Sequence, residues 1–127
     1  VVCGGFAMPI RGGYADYVFI VTSGESMALY AASNIAYAIK NFAARNYAKL
    51  GGIILNERNV ENEYELTEKV ANEIESNIIA QIPRDGTVQK AEALNKTVIE
   101  AFPDSQMAQS YINLAKKVLE VCHEQKL

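Results

Sequence analysis

Few residues of this chain have the chemistry for a reactive or ligating role. Cys3, in Val1-Val2-Cys3-Gly4-Gly5, follows what reads as the end of a buried strand and precedes two glycines. Glycine reaches positive φ without steric cost, so the backbone there can turn sharply and expose its amides while a thiolate sits at a rim. Iron–sulfur clusters take soft thiolate ligands, usually four, and N–H groups directed at the sulfurs tune their potential. One cysteine is a single ligand, and the rest would come from elsewhere in a longer chain, from a second subunit, or from both. The competing reading is an inert buried thiol, because free cysteine is among the most buried residue types. Cys122 and His123, the single histidine, lie side by side in a polar tail. Two residues cannot close a metal site, so none is expected there.

Other polar residues gather in short strings. Asn56-Glu57-Arg58 and Pro83-Arg84-Asp85 each follow an apolar run, and Thr22-Ser23-Gly24 follows a third. The Asn56 amide offers a donor and an acceptor and can pair bidentately with a heterocycle edge, although Asn after a strand is also an ordinary turn residue. Arg84-Asp85 reads equally as a local ion pair, worth about 0–1 kcal/mol when exposed. Glu25 suits the positive end of a helix dipole, and Met27 suits packing. The seven tyrosines form no regular pattern and are explained by packing.

The elements that must position these groups are legible. Tyr17-Val18-Phe19-Ile20-Val21-Thr22 lacks clean alternation, as expected of a central strand buried on both faces. Ser23 is a candidate N-cap for a helix running to about Asn46, with Ala28, Ala32, Ile35, Ile39 and Phe42 at helical spacing. Gly51-Gly52-Ile53-Ile54-Leu55 is a second buried strand. Residues 61–76 form an amphipathic helix whose stripe is Leu66, Val70, Ala71 and Ile74. Ile78-Ile79-Ala80-Gln81-Ile82 is a third strand, stopped by Pro83. Short helices are expected over 88–94 and 98–102. A last helix opens at Pro103-Asp104-Ser105, with Met107, Tyr111, Leu114, Val118 and Leu119 as its core stripe. Strands alternating with helices at these spacings predict an α/β fold, a parallel sheet flanked by helices through right-handed crossovers. In such sheets ligands collect beyond the carboxyl ends of the strands, where the polar strings fall.

Composition narrows the function classes. The chain has 127 residues, half of them apolar, which suits one domain over 1–127. Acidic residues exceed basic ones by 15 to 12, and the cations are scattered, so nucleic acid is not an expected partner. No apolar run reaches the roughly 20 residues that span a bilayer, and no secretion signal is visible. A cytoplasmic location without membrane association is expected. Two distant cysteines make no disulfide framework. The absence of an initiator Met and the strand-like start predict a piece whose N-terminal half is missing.

The run from Val1 through Gly5 to Phe6-Ala7-Met8-Pro9-Ile10-Arg11 resembles, nearly letter for letter, the second cysteine motif of the nitrogenase iron protein family. The likeness continues through Ser23-Gly24-Glu25-Ser26-Met27-Ala28-Leu29-Tyr30-Ala31-Ala32, Asn56-Glu57-Arg58, Pro83-Arg84-Asp85 and Val88-Gln89-Lys90-Ala91-Glu92, in family order and spacing, and fades after about Leu119. The resemblance implies part of a P-loop NTPase fold of the deviant-Walker kind, without its N-terminal half. It implies a homodimer in which each subunit gives two cysteines to one [4Fe-4S] cluster on the twofold axis, with Cys3 as the second of the pair. The segment carrying Cys3 would also sense the γ-phosphate of the nucleotide and move the cluster.

It further implies that Asn56 reads the adenine of MgATP or MgADP, that Pro83, Arg84 and Asp85 wrap the base and ribose, and that Gln89 and Glu92 stand on the short helix behind them. Glu25 and Met27 match positions near the subunit contact. The implied activity is ATP-driven electron transfer to a larger nitrogenase or nitrogenase-like catalytic component, nitrogen fixation being the leading case, with ferredoxin or flavodoxin as electron donor. This piece alone is expected to be inactive, since the phosphate-binding loop, the Mg-binding acidic residue and the first cysteine would precede it. Tyr14-Ala15-Asp16-Tyr17, Ser26 and Ser33 depart from the commonest nitrogenase pattern and leave open a relative that reduces a tetrapyrrole. A non-redox P-loop switch ATPase and an inactive α/β module are the readings from other classes.

Overall fold

In the computed structural model, residues 15–43 and 48–124 are described. Cys3, Tyr14 and the expected helix end at Asn46 lie outside them, as does the Phe42 side chain. The elements run β1 (Tyr17–Thr22), α1 (Ser26–Ala43), β2 (Lys49–Asn56), α2 (Glu63–Glu73), β3 (Ile78–Ile82), α3 (Thr87–Ala93), α4 (Val98–Ala101) and α5 (Gln106–Glu124).

The three strands form one parallel sheet in the order β1-β2-β3. Successive side chains of a strand point to opposite faces, and β2 uses both. Ile53 joins Ile20, Ala32, Ala36, Ile39, Ala71 and Ile74 in a core beneath α1 and α2. Ile54 joins Ile82, Ala91, Val98, Met107 and Ala108 in a second core beneath α3, α4 and α5. An unalternating apolar run is what a strand covered on two faces requires. Gly52, at φ +147, lies where a Cβ would stand 2.6 Å from the Ile79 side chain, so glycine lets β3 close on β2.

The α/β reading holds, with differences in detail. Among the described residues β1 is an edge strand rather than a central one, and Val21 is 62% exposed; periodicity reports burial pattern but not sheet order. Ser23 is not the N-cap of α1. The Leu29 N–H donates to the Glu25 carbonyl, and the Ser23 hydroxyl accepts from the Glu25 N–H at 3.4 Å, closing the turn before the helix. In α2 the buried stripe is Glu63, Thr67 and Ala71, continued by Ile74, while Leu66 is 41% exposed. Thr67 takes the inner place because its hydroxyl donates to the Glu63 carbonyl at 2.8 Å and so leaves no polar group unpaired. Leu119 likewise lies on the outer face of α5.

Register decides what stands at the sheet's carboxyl edge. Thr22 pairs with Leu55, and Asn56 with Ile82, so the three strands end nearly level. The segments 22–25, 56–60 and 83–86 therefore emerge side by side.

Candidate functional site

Asn56 closes β2, and its side chain is exposed because the strand ends there. The next residue extends the ladder by one bond, Glu57 N–H to the Ile82 carbonyl at 2.9 Å. Pro83 then has no N–H to continue pairing, and the chain leaves the sheet. Residues 83–86 turn into α3, which carries Gln89 and Glu92 on one side three residues apart. These segments enclose an open cleft of about 660 Å³ lined by Asn56, Arg58, Pro83, Arg84, Asp85, Gln89 and Glu92. All six residues that the family resemblance associates with nucleotide thus line one space.

Apolar side chains share the lining with these polar groups. Val88, Met107 and Tyr111 also line it; Met107 is 3% exposed, and Tyr111 stands one helical turn further along α5. The sequence marked Met107 and Tyr111 only as core positions. Their i, i+4 spacing at the start of the helix was the available signal, since that end of α5 lies against the carboxyl edge of the sheet. Apolar side chains beside amide, guanidinium and carboxylate groups can take a flat heterocycle with a polar rim.

Asp85 is organised locally. Its Oδ1 accepts from the Thr87 N–H at 2.8 Å and from the Thr87 hydroxyl at 2.7 Å. These two bonds hold its carboxyl below the ordinary carboxylate value, with Lys90 adding a smaller contribution. The Arg84–Asp85 pair weighed from sequence does not form. Among the described residues the ion pairs are Lys40 with Glu75, Arg58 with Glu25, and Lys117 with Glu120.

The segment 56–60 is held differently, by a residue that sequence reading passed over. Glu63 is only 6% exposed. Its Oε2 accepts from the Gly24 N–H at 2.7 Å and its Oε1 from the Arg58 N–H at 3.0 Å, with longer bonds to Arg58 and Val60. Asn59 at φ 60 and Asn62 at φ 55 curl the chain so that the first residue of α2 reaches back over its own approach. One carboxylate thereby joins the segment after β1 to the segment after β2. A Cβ on Gly24 would meet Glu63, at 3.0 Å from its Cα, so this approach requires glycine. Charge within a charged helix start gave no sign of burial.

Glu25 and Met27 flank the same region. The Glu25 carboxylate meets Arg58 Nε at 2.8 Å, with both side chains more than half exposed, and Met27 is 77% exposed. Asn56 and Arg58 also border a neighbouring depression of about 380 Å³ over Thr22, Ser23 and Ala28. Cys3 lies outside the described residues, and among those residues no three His, Cys, Asp or Glu side chains gather at a possible metal site. No helix among them is long and apolar enough to cross a membrane.

Comparison with known proteins follows the same lines. The 4Fe-4S iron sulfur cluster binding proteins of the NifH/frxC family match residues 1–126. The nitrogenase iron protein of Methanospirillum hungatei is 51% identical over 121 residues, covering 94% of this chain and 43% of that protein. Nitrogenase iron protein 1 of Methanothermobacter thermautotrophicus is 50% identical, covering 94% of this chain and 44% of that protein. The chain thus spans less than half the length of these relatives. Among solved structures, the cell division ATPase MinD of Pyrococcus furiosus superposes with a TM-score of 0.69 over 85% of this chain and 44% of its own, at 19% identity. That likeness shows the fold alone. With its family motifs in order, a matching fold and half-identical relatives, the chain belongs to the NifH/frxC family of 4Fe-4S iron sulfur cluster binding proteins.

Proposed function

We propose that residues 1–127 are the C-terminal portion of a single P-loop domain that binds MgATP and MgADP in the cleft between 56–59 and 83–92, and that the full-length homodimer is an ATP-driven reductase. The observation that carries this reading is the convergence of Asn56, Pro83, Arg84, Asp85, Gln89 and Glu92 on one cleft. The Asn56 amide pairs with the adenine edge. Val88, Met107 and Tyr111 supply the apolar surface for its ring, Asp85 and Glu92 can accept from ribose hydroxyls, and Arg84 and Gln89 donate to the nucleotide's oxygens. The fixed orientation of Asp85 fits this use, because Thr87 occupies one of its oxygens and leaves the other free to accept.

Cys3 is one thiolate of a [4Fe-4S] cluster shared between two subunits, an assignment supported by the family's cluster binding and by the motif around it. When bound, the cluster supplies a one-electron carrier. The electron passes to a larger catalytic component of the nitrogenase type, nitrogen fixation being the leading case, and a ferredoxin or flavodoxin replaces it. The nitrogenase iron proteins at about half identity favour this over tetrapyrrole reduction. A non-redox switch has only the shared fold behind it.

The test is anaerobic purification of the full-length protein, read by visible absorption and electron paramagnetic resonance, with MgADP titrated by calorimetry. A four-iron signal lost in C3A, together with MgADP binding weakened in N56A, is the expected result. A full cluster in C3A removes Cys3 from the ligand set, and no cluster in the wild type overturns the redox reading.

A further inference from the structure

A buried carboxylate is an expensive way to fill space, because its charge must be taken out of water and every oxygen satisfied. Glu63 sits in such a place, and the bonds of its carboxylate do not run within its own helix. They run to the backbones of two loops: to Gly24, which lies 39 positions earlier, and to Arg58 and Val60. A second tie runs parallel to the first, since the Arg58 side chain meets Glu25 at 2.8 Å. Segments 22–25 and 56–60 are therefore joined twice, once in the interior and once at the surface, immediately beside Asn56.

We infer that Glu63 is a positioning residue for the nucleotide cleft: it fixes the segment that presents Asn56 and makes the loop after β1 move with it. The inference rests on the reading of the cleft as a nucleotide site. Its chemistry calls for a carboxylate. Oε2 faces the Gly24 N–H and Oε1 faces the Arg58 N–H, so both oxygens must accept. Glutamine keeps the shape but presents an NH₂ to one of those donors in either orientation of its amide. Gly24 completes the arrangement from the other side, because any Cβ there would push against Glu63.

The experiment is a double-mutant cycle in the full-length protein, with MgADP affinity measured by calorimetry for wild type, E63Q, N56A and the double variant. E63Q retains the volume of the side chain and is the variant expected to fold; E63A is a second probe, and melting curves report the fold of each. E63Q should weaken MgADP about tenfold, on the scale of one lost charged hydrogen bond. If Glu63 acts through the placement of Asn56, adding E63Q to N56A should cost less than about twofold further. E63D, which keeps both acceptors, should recover part of the lost affinity. Wild-type affinity in E63Q, or losses that multiply fully in the double variant, overturns the positioning role while leaving the cleft reading intact. Unchanged affinity in N56A overturns the cleft reading itself, and this inference with it.

Discussion

The two loops that frame the cleft are pinned by carboxylates of opposite character. Segment 56–60 is held by Glu63, which is nearly inaccessible to solvent and reaches across the fold to Gly24. Segment 83–86 is held by Asp85, which is fully exposed and whose carboxylate bonds only Thr87 among the described residues, two positions on. The first device is a tertiary contact that depends on α2 being packed; the second is a local turn that closes by itself. One wall of the cleft is thus coupled to the rest of the domain. The other is preformed but independent.

If that contrast is right, the largest effect on stability should come from Glu63→Ala. It strands the N–H groups of Gly24, Arg58 and Val60 in a buried place, and the cost should be about 3 kcal/mol. Chemical denaturation with circular dichroism would measure it. A loss below about 1 kcal/mol would show that water replaces the carboxylate and that the loop is not tertiary in origin.

Next in size is Asn56→Ala, which touches binding rather than folding. The side chain is exposed at the end of β2, so stability should change little, whereas MgADP affinity should fall by about 1–3 kcal/mol through the partners left unpaired. A variant with lowered melting temperature and unchanged affinity would reverse that assignment.

Thr67→Val probes the support of the buried device. The substitution keeps the side chain's shape and removes the hydroxyl that donates to the Glu63 carbonyl at 2.8 Å, one turn below the carboxylate. A loss of about 1 kcal/mol is expected, with MgADP affinity unchanged because the Glu63 carboxylate keeps its own contacts.

The contrast also explains what was legible in the sequence. The strands from Tyr17 and Ile78, the helices, and the meeting of Asn56 with residues 83–85 follow from local apolar runs and from the rule that parallel strands end on one edge; Gln89 and Glu92 are tied to that place only through the family resemblance. The position of β1 at the edge of the sheet among the described residues and the burial of Glu63 do not follow from such runs. Both depend on which elements pack together, and a glutamate at a helix start looks the same in sequence whether solvent or Gly24 meets it. Leu66 misled for the same reason: the Thr67 hydroxyl is satisfied within α2, which lets Thr67 displace Leu66 from the inner face. Met107 and Tyr111 were visible as core residues, but their second role in lining the cleft required knowing where α5 begins relative to β3.

The smallest effect is expected at Asp85, and it is a matter of pH. Its carboxyl is lowered from 3.8 in the folded chain, first by the Thr87 hydroxyl and then by the Thr87 N–H. A depressed folded value means that the turn's stabilisation is present above the ordinary carboxylate range and is lost as pH falls through the depressed one. Because the group is exposed, solvent screens much of the interaction, and the global melting temperature near neutral pH should not respond to Asp85→Asn. The local turn should. Carboxyl chemical shifts followed from pH 6 downward should place the Asp85 midpoint below 3.8, and Thr87→Val should move it upward by removing the larger of the two causes. An Asp85 midpoint that ignores Thr87→Val would mean that the loop after β3 is held from elsewhere, and the two walls of the cleft would then be alike rather than opposite.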